Sequence, residues 1–165
     1  MRPATDRNIY PMTNDVRCLN LIERYLRTRG RRYFRGHHDA EYFFVTSTRP
    51  RLHVHLEISP AHDDMLILRV NPGHFFPATE CPWLAHFSDM WNRQEREVTA
   101  IVHGSSDPQR IGVVARRSHW IRKTDSFEDF ASFVDRTIAD ATDLFDELSP
   151  PVDLPAAQPL LRHAG

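Results

Sequence analysis

Lysine is nearly missing from this 165-residue chain: Lys123 is the single lysine, and twenty of the twenty-one basic residues are arginine. Arginine is therefore the default cation, as in a GC-rich coding sequence, and an arginine cluster carries less weight as an anion site than it otherwise would. Cysteine is equally scarce. Cys18 and Cys81 stand far apart without C-x-x-C spacing, which argues against a disulfide scaffold, a zinc knuckle or a dithiol pair and leaves two plain thiols. No apolar run approaches the roughly 20 residues that cross a bilayer. The first twelve residues lack the apolar core of a signal peptide, so a cytoplasmic protein is expected. Six glycines against twelve prolines speak against long flexible linkers, and the net charge of -1 excludes a generally basic nucleic-acid coat. G-x-S-x-G, Walker, G-x-G-x-x-G and H-E-x-x-H motifs are all absent, so no catalytic residue is assigned.

What is present is an ordinary globular composition, 41% hydrophobic and 26% charged. A single domain of this size buries roughly 70% of its unfolded surface and needs no staple. Proline-bearing tails are expected at 1–12 and 150–165, with one folded unit over 13–149. Thr13 or Asn14 can cap a first helix with Val16, Leu19, Ile22 and Leu26 at helical spacing, ending at Gly30. Strands are predicted at Tyr33-Phe34, over 40–47, over 51–58, where Leu52, Val54, Leu56 and Ile58 alternate with His53, His55 and Glu57, and over 65–70. A second helix fits 80–94, with Pro82 in its first turn and Trp83, Leu84, Phe87, Met90 and Trp91 as its apolar stripe. A hairpin, 98–103 with 111–120, follows. The last helix, 126–148, is entered through Asp125 with Glu128 as capping-box partner, and its stripe is Phe127, Phe130, Val134, Ile138, Ala141, Phe145 and Leu148. This order predicts an α+β fold, an antiparallel sheet backed by helices.

Three stretches carry a family resemblance: Glu41-Tyr42-Phe43-Phe44-Val45 leading into Leu52-His53-Val54-His55-Leu56, the helix end Met90-Trp91-Asn92-Arg93, and the closing helix ending Leu144-Phe145-Asp146-Glu147-Leu148. Over about 14–149 the chain resembles the YbjN-domain proteins, described as candidate sensory transduction regulators of bacteria. The resemblance implies a fold similar to type III secretion chaperones, a curved sheet backed by helices that commonly dimerises, and it brings no catalytic residues with it. The arginine-rich first helix and the histidine-rich third strand depart from the family.

The chemically most suggestive cluster is His53-x-His55-x-Glu57. Side chains two apart on a strand share one face about 7 Å apart, so both imidazoles can approach one zinc, with His37-His38-Asp39 in the adjoining turn as a source of further ligands. The plainer alternative, which the pattern favours, is the solvent side of an amphipathic strand. Charge is segregated: Arg17 to Arg35 carries seven arginines against Glu23, while Asp125 to Leu148 carries eight acids against Arg136. Solvated helix faces explain both; steering, or pairing between two subunits, is the functional alternative. Nucleic-acid binding is not expected, because no recognition motif accompanies the arginines. Trp83, Phe87, Met90 and Trp91 read chiefly as core, with a share in a partner or dimer interface. A non-enzymatic binding protein with a protein or peptide partner and no cofactor is the primary expectation. A metal-dependent enzyme at His53, His55 and Glu57 is the alternative, and a small-molecule sensor is left open.

Overall fold

A computed structural model of the chain describes residues 14–149; the two predicted tails and Thr13 lie outside them. The elements are α1 (Asn14–Thr28), β1 (Tyr33–Arg35), β2 (Glu41–Val45), β3 (His53–Ile58), β4 (Met65–Asn71), β5 (Phe76–Pro77), a 3-10 turn (Ala78–Glu80), α2 (Cys81–Asn92), β6 (Thr99–Gly104), β7 (Arg110–Trp120) and α3 (Phe127–Leu148). All seven strands join one sheet in the order β1-β2-β3-β4-β7-β5, and β6 pairs with β7 on its other side. Every pairing is antiparallel. The expected α+β architecture is the one found. It gains β5, too short for a periodicity to register.

Strand alternation puts Tyr42, Leu56 and Leu68 in one buried row and Phe44, Val54, Val70, Ala115 and Ala100 in the next. The core lies between these rows and the helices. α1 buries Cys18, Ile22, Tyr25 and Leu26, whereas Val16 is exposed. The buried stripe includes Cys18 and Tyr25, and Tyr25 packs edge-on against Phe130 while its hydroxyl donates to Asp135. Gly30 ends α1 at a positive φ of 61°, where Arg31 N–H donates to Leu26 O and Gly30 N–H to Arg27 O, the two bonds of a Schellman motif.

α3 begins one residue later than the Asp125 entry predicts. Ser126 is the N-cap and exchanges bonds with Asp129, while Asp125 accepts the N–H of Arg122. Its buried stripe also holds two polar residues, Thr137 and Asp140. The basic and acidic helices meet within one chain: Arg29 pairs with Asp135 at 2.6 Å, and Arg17 donates to the Asp125 carbonyl.

Candidate functional site

The helices cover one face of the sheet, and side chains of the other face form cross-strand rows, three of which bear on the site. The middle row runs Phe34, Phe43, His55, Arg69, Arg116 and Thr99. Beside it lie Glu41, Glu57, Ile67 and Ser118 on one flank and Val45, His53 and Asn71 on the other. This face keeps large apolar side chains in solvent. Phe34 is 73% exposed, and Phe43, Val45 and Phe75 are also exposed. Isolated exposed side chains are ordinary, but neighbours on paired strands make a surface.

At the end of the face where β3 begins, a cavity of about 640 Å³ opens among Phe43, His53, His55, Arg69, Phe75 and His103. Two glycines shape it. Gly73 takes a φ of 71°, and a Cβ there would stand 2.6 Å from His53 Nε2. On β7 a Cβ at Gly112 would run into the His103 ring. Both imidazoles thus lie against bare backbone, which is the use of a glycine inside a strand or at a left-handed turn. The volume falls in the range of ligand and side-chain pockets.

Several polar residues of the face are engaged with one another. Glu57 accepts from Arg69 at 2.7 Å and stands 3.1 Å from His38 Nε2. Burial pushes its carboxyl up, but the bonds from Arg69 and His38 and the Arg69 charge outweigh it, so Glu57 is held below its ordinary pKa. His55 stacks on Phe43 at 4.3 Å with the rings nearly parallel. Its Nδ1 lies 3.4 Å from the Arg69 guanidinium, which can only donate, so the ring proton is on Nε2. Nε2 is 2.9 Å from Glu41 Oε1, with the oxygen off the N–H direction, so the contact is not a well-aligned hydrogen bond. Burial and Arg69 lower the His55 pKa against the pull of Glu41 and Glu57, and the ring is neutral near pH 7. His103 has the opposite tautomer: Nδ1 donates to the Gly104 carbonyl at 2.9 Å, leaving Nε2 a free acceptor.

His53, His55 and Glu57 therefore do share a face, as alternation predicts, but Glu57 is bound by Arg69 and His38, and His55 sits between Arg69 and Glu41. Among the described residues no three His, Cys, Asp or Glu side chains gather as a metal site. The turn residue His38 serves Glu57 and Glu41 instead. Cys18 is buried, Cys81 is half-buried, and neither forms a disulfide.

The four residues expected at an interface divide. Trp91 is only 1% exposed, and its indole N–H donates to Val98 O at 3.1 Å, so it belongs to the core and not to an accessible patch. Phe87 is partly buried against it. Trp83 and Met90 face solvent, about half exposed. Asn92 at the end of α2 exchanges two bonds with the Ala100 backbone, at 2.9 and 2.8 Å, as a strand would. The Trp91-Asn92 pair thus fastens α2 along β6. The sequence marks none of Phe34, Phe75 and His103 as a site residue; an isolated glycine in the strand at 112 and Pro72-Gly73 are the signals that point to the cavity.

No family model and no curated protein matches the chain. Among solved structures it is similar to the crystal structure of YbjN from E. coli, described as a candidate transcription regulator, at 15% identity and a TM-score of 0.59 over 78% of this chain and 89% of that one. At that identity the likeness speaks for the fold alone, and the chain has a YbjN-like fold.

Proposed function

We propose that the protein is a non-enzymatic regulator or chaperone-like adaptor that binds an extended segment of a partner protein on the uncovered face of its sheet. The observation that carries this is the combination of paired, solvent-facing Phe34 and Phe43 with a cavity held open by His53 on Gly73 and His103 on Gly112. An aromatic or aliphatic side chain of the partner fills the cavity, where buried apolar anchors contribute most to affinity. Glu41, Glu57, His55 and Arg69 at the centre of the face contact one another, an arrangement that suits a fixed recognition surface better than proton transfer. A candidate transcription regulator with the same fold supports a regulatory role.

The strand edges favour the same surface. Asn92 occupies the outward N–H and C=O of Ala100, which blunts the β6 edge. β1 is the outermost strand on the other side. Gly36 N–H donates to Glu41 O, so by antiparallel alternation Tyr33 and Arg35 turn their backbone groups away from β2, where a peptide strand can join. Exposed Trp83 and Met90 on α2 provide a separate surface for self-association.

Native mass spectrometry of protein expressed in its native host tests the proposal. The wild type is expected to carry a co-purifying polypeptide that the F34D/F43D variant loses, while W83A/M90A changes only the homodimer mass. Retention of the polypeptide by F34D/F43D would contradict the proposal.

A further inference from the structure

The sheet face ends in a corner of arginines. Arg27 in the last turn of α1, Arg32 after Gly30, and Arg49 and Arg51 in the β2–β3 loop are all exposed, and none has an ion-pair or hydrogen-bond partner among the described residues. Of the neighbouring cations, Arg29 pairs with Asp135 and Arg35 with Glu23, while Arg31 donates to the Ser47 hydroxyl and has no carboxylate partner among the described residues. Because arginine is this chain's default cation, number alone means little. Two further facts do the distinguishing.

First, the corner is built. Arg31 donates to Ser47 Oγ at 3.3 Å, tying the turn after α1 to the β2–β3 loop. Buried Thr46 closes that loop by bonding Leu52 through both backbone and hydroxyl, each at 2.9 Å. Second, the corner adjoins the cavity: Arg51 lies two residues before His53, in the row Val45, His53 and Asn71 that forms the last rung of the face before the loop.

We infer that this corner receives an acidic flank of the partner segment, so that the protein selects extended segments in which an apolar or aromatic anchor is flanked by carboxylates. The inference rests on the open-face proposal and adds the chemical class of the partner. Guanidinium groups pair with carboxylates in a planar, bidentate geometry, and four without partners leave an uncompensated positive field at one end of the groove. A nucleic acid suits the surface less well. Its charge repeats at every nucleotide, whereas along the face beyond the corner the Arg69 charge is already met by Glu57, and the other acids of α3 lie beyond Arg29. A protein segment confines its charge to the end that meets the arginines.

The test is selection from a random peptide display library on the full-length protein, with R32E/R49E/R51E and F43D panned in parallel and a random single-stranded DNA pool offered separately. The three arginines have no partners to lose, so the triple variant should melt as the wild type does. Wild-type selections are expected to be enriched in Asp and Glu beside an apolar or aromatic residue. The selected peptides should bind the wild type about tenfold tighter than the triple variant at low salt, a ratio that a few exposed ion pairs supply and that shrinks as salt rises. Enriched peptides lost in F43D but without acidic bias would overturn this inference and leave the open-face proposal standing. Failure to enrich any peptide would sink both. DNA retained through Arg32, Arg49 and Arg51 in preference to acidic peptides would assign the corner to nucleic acid instead.

Discussion

At the scale of single residues, Trp91 and Asn92 show how an apparent recognition motif can be structural. One buries an indole whose N–H reaches Val98 O; the other completes the Ala100 backbone. Trp91→Ala should cost about 3 to 5 kcal/mol, as large aromatic truncations in a core do, and Asn92→Ala about 1 to 2 kcal/mol for two half-buried bonds. Urea denaturation measures both; a Trp91→Ala midpoint equal to that of the wild type would remove Trp91 from the core. His55 makes a prediction of sign. Its folded pKa lies below the ordinary value of about 6.5, so between the two the unfolded chain binds more protons. Its stabilising contribution is complete above the ordinary value and is lost as pH falls through it toward the folded value. Between about pH 7 and pH 5 the wild type should therefore lose more stability than His55→Gln, before the lowered carboxyls of Glu57 and Asp135 begin to titrate. Equal pH slopes for the two proteins would contradict the assignment of a half-buried, neutral imidazole.

At the scale of elements, local chemistry decides boundaries and tertiary contacts decide faces. Ser126→Ala removes the acceptor for Asp129 N–H and should destabilise by about 1 kcal/mol, read from the denaturation midpoint; Asp125→Ala should leave the α3 cap intact. Strands were legible wherever one side is buried, because Leu52, Val54, Leu56 and Ile58 repeat with a period of two. Their partners His53, His55 and Glu57 were legible as a shared face for the same reason. What the pattern could not supply was the cross-strand pairing that delivers Arg69 to Glu57 and Glu41 to His55, since it depends on registers between segments separated in sequence. The buried carboxylate of Asp140 was hidden likewise. It accepts Val98 N–H and approaches Arg96 from 42 and 44 residues away, so on an isolated helix it reads as a solvated acid.

At the scale of the whole molecule, the described helices pack on one side of the seven-stranded sheet and leave its other face bare, with β1 as an open edge. No described helix is long and apolar enough to cross a membrane. The segregated charges, visible in the sequence, are joined within the chain through Arg29 and Asp135, and the exposed arginines at the cavity corner are among those without a carboxylate partner in the described residues. Because Phe34 and Phe43 face solvent, F34D/F43D should keep a melting temperature close to that of the wild type while losing binding; a collapse of stability would mean that the face is part of the core. Photo-crosslinking tests the central claim most directly, with benzoylphenylalanine placed at position 34 on the bare face or at position 83 on α2, in the native host. The account predicts a discrete adduct to another polypeptide from position 34, and at most a self-adduct from position 83. A foreign polypeptide captured from position 83, with nothing from position 34, would contradict it.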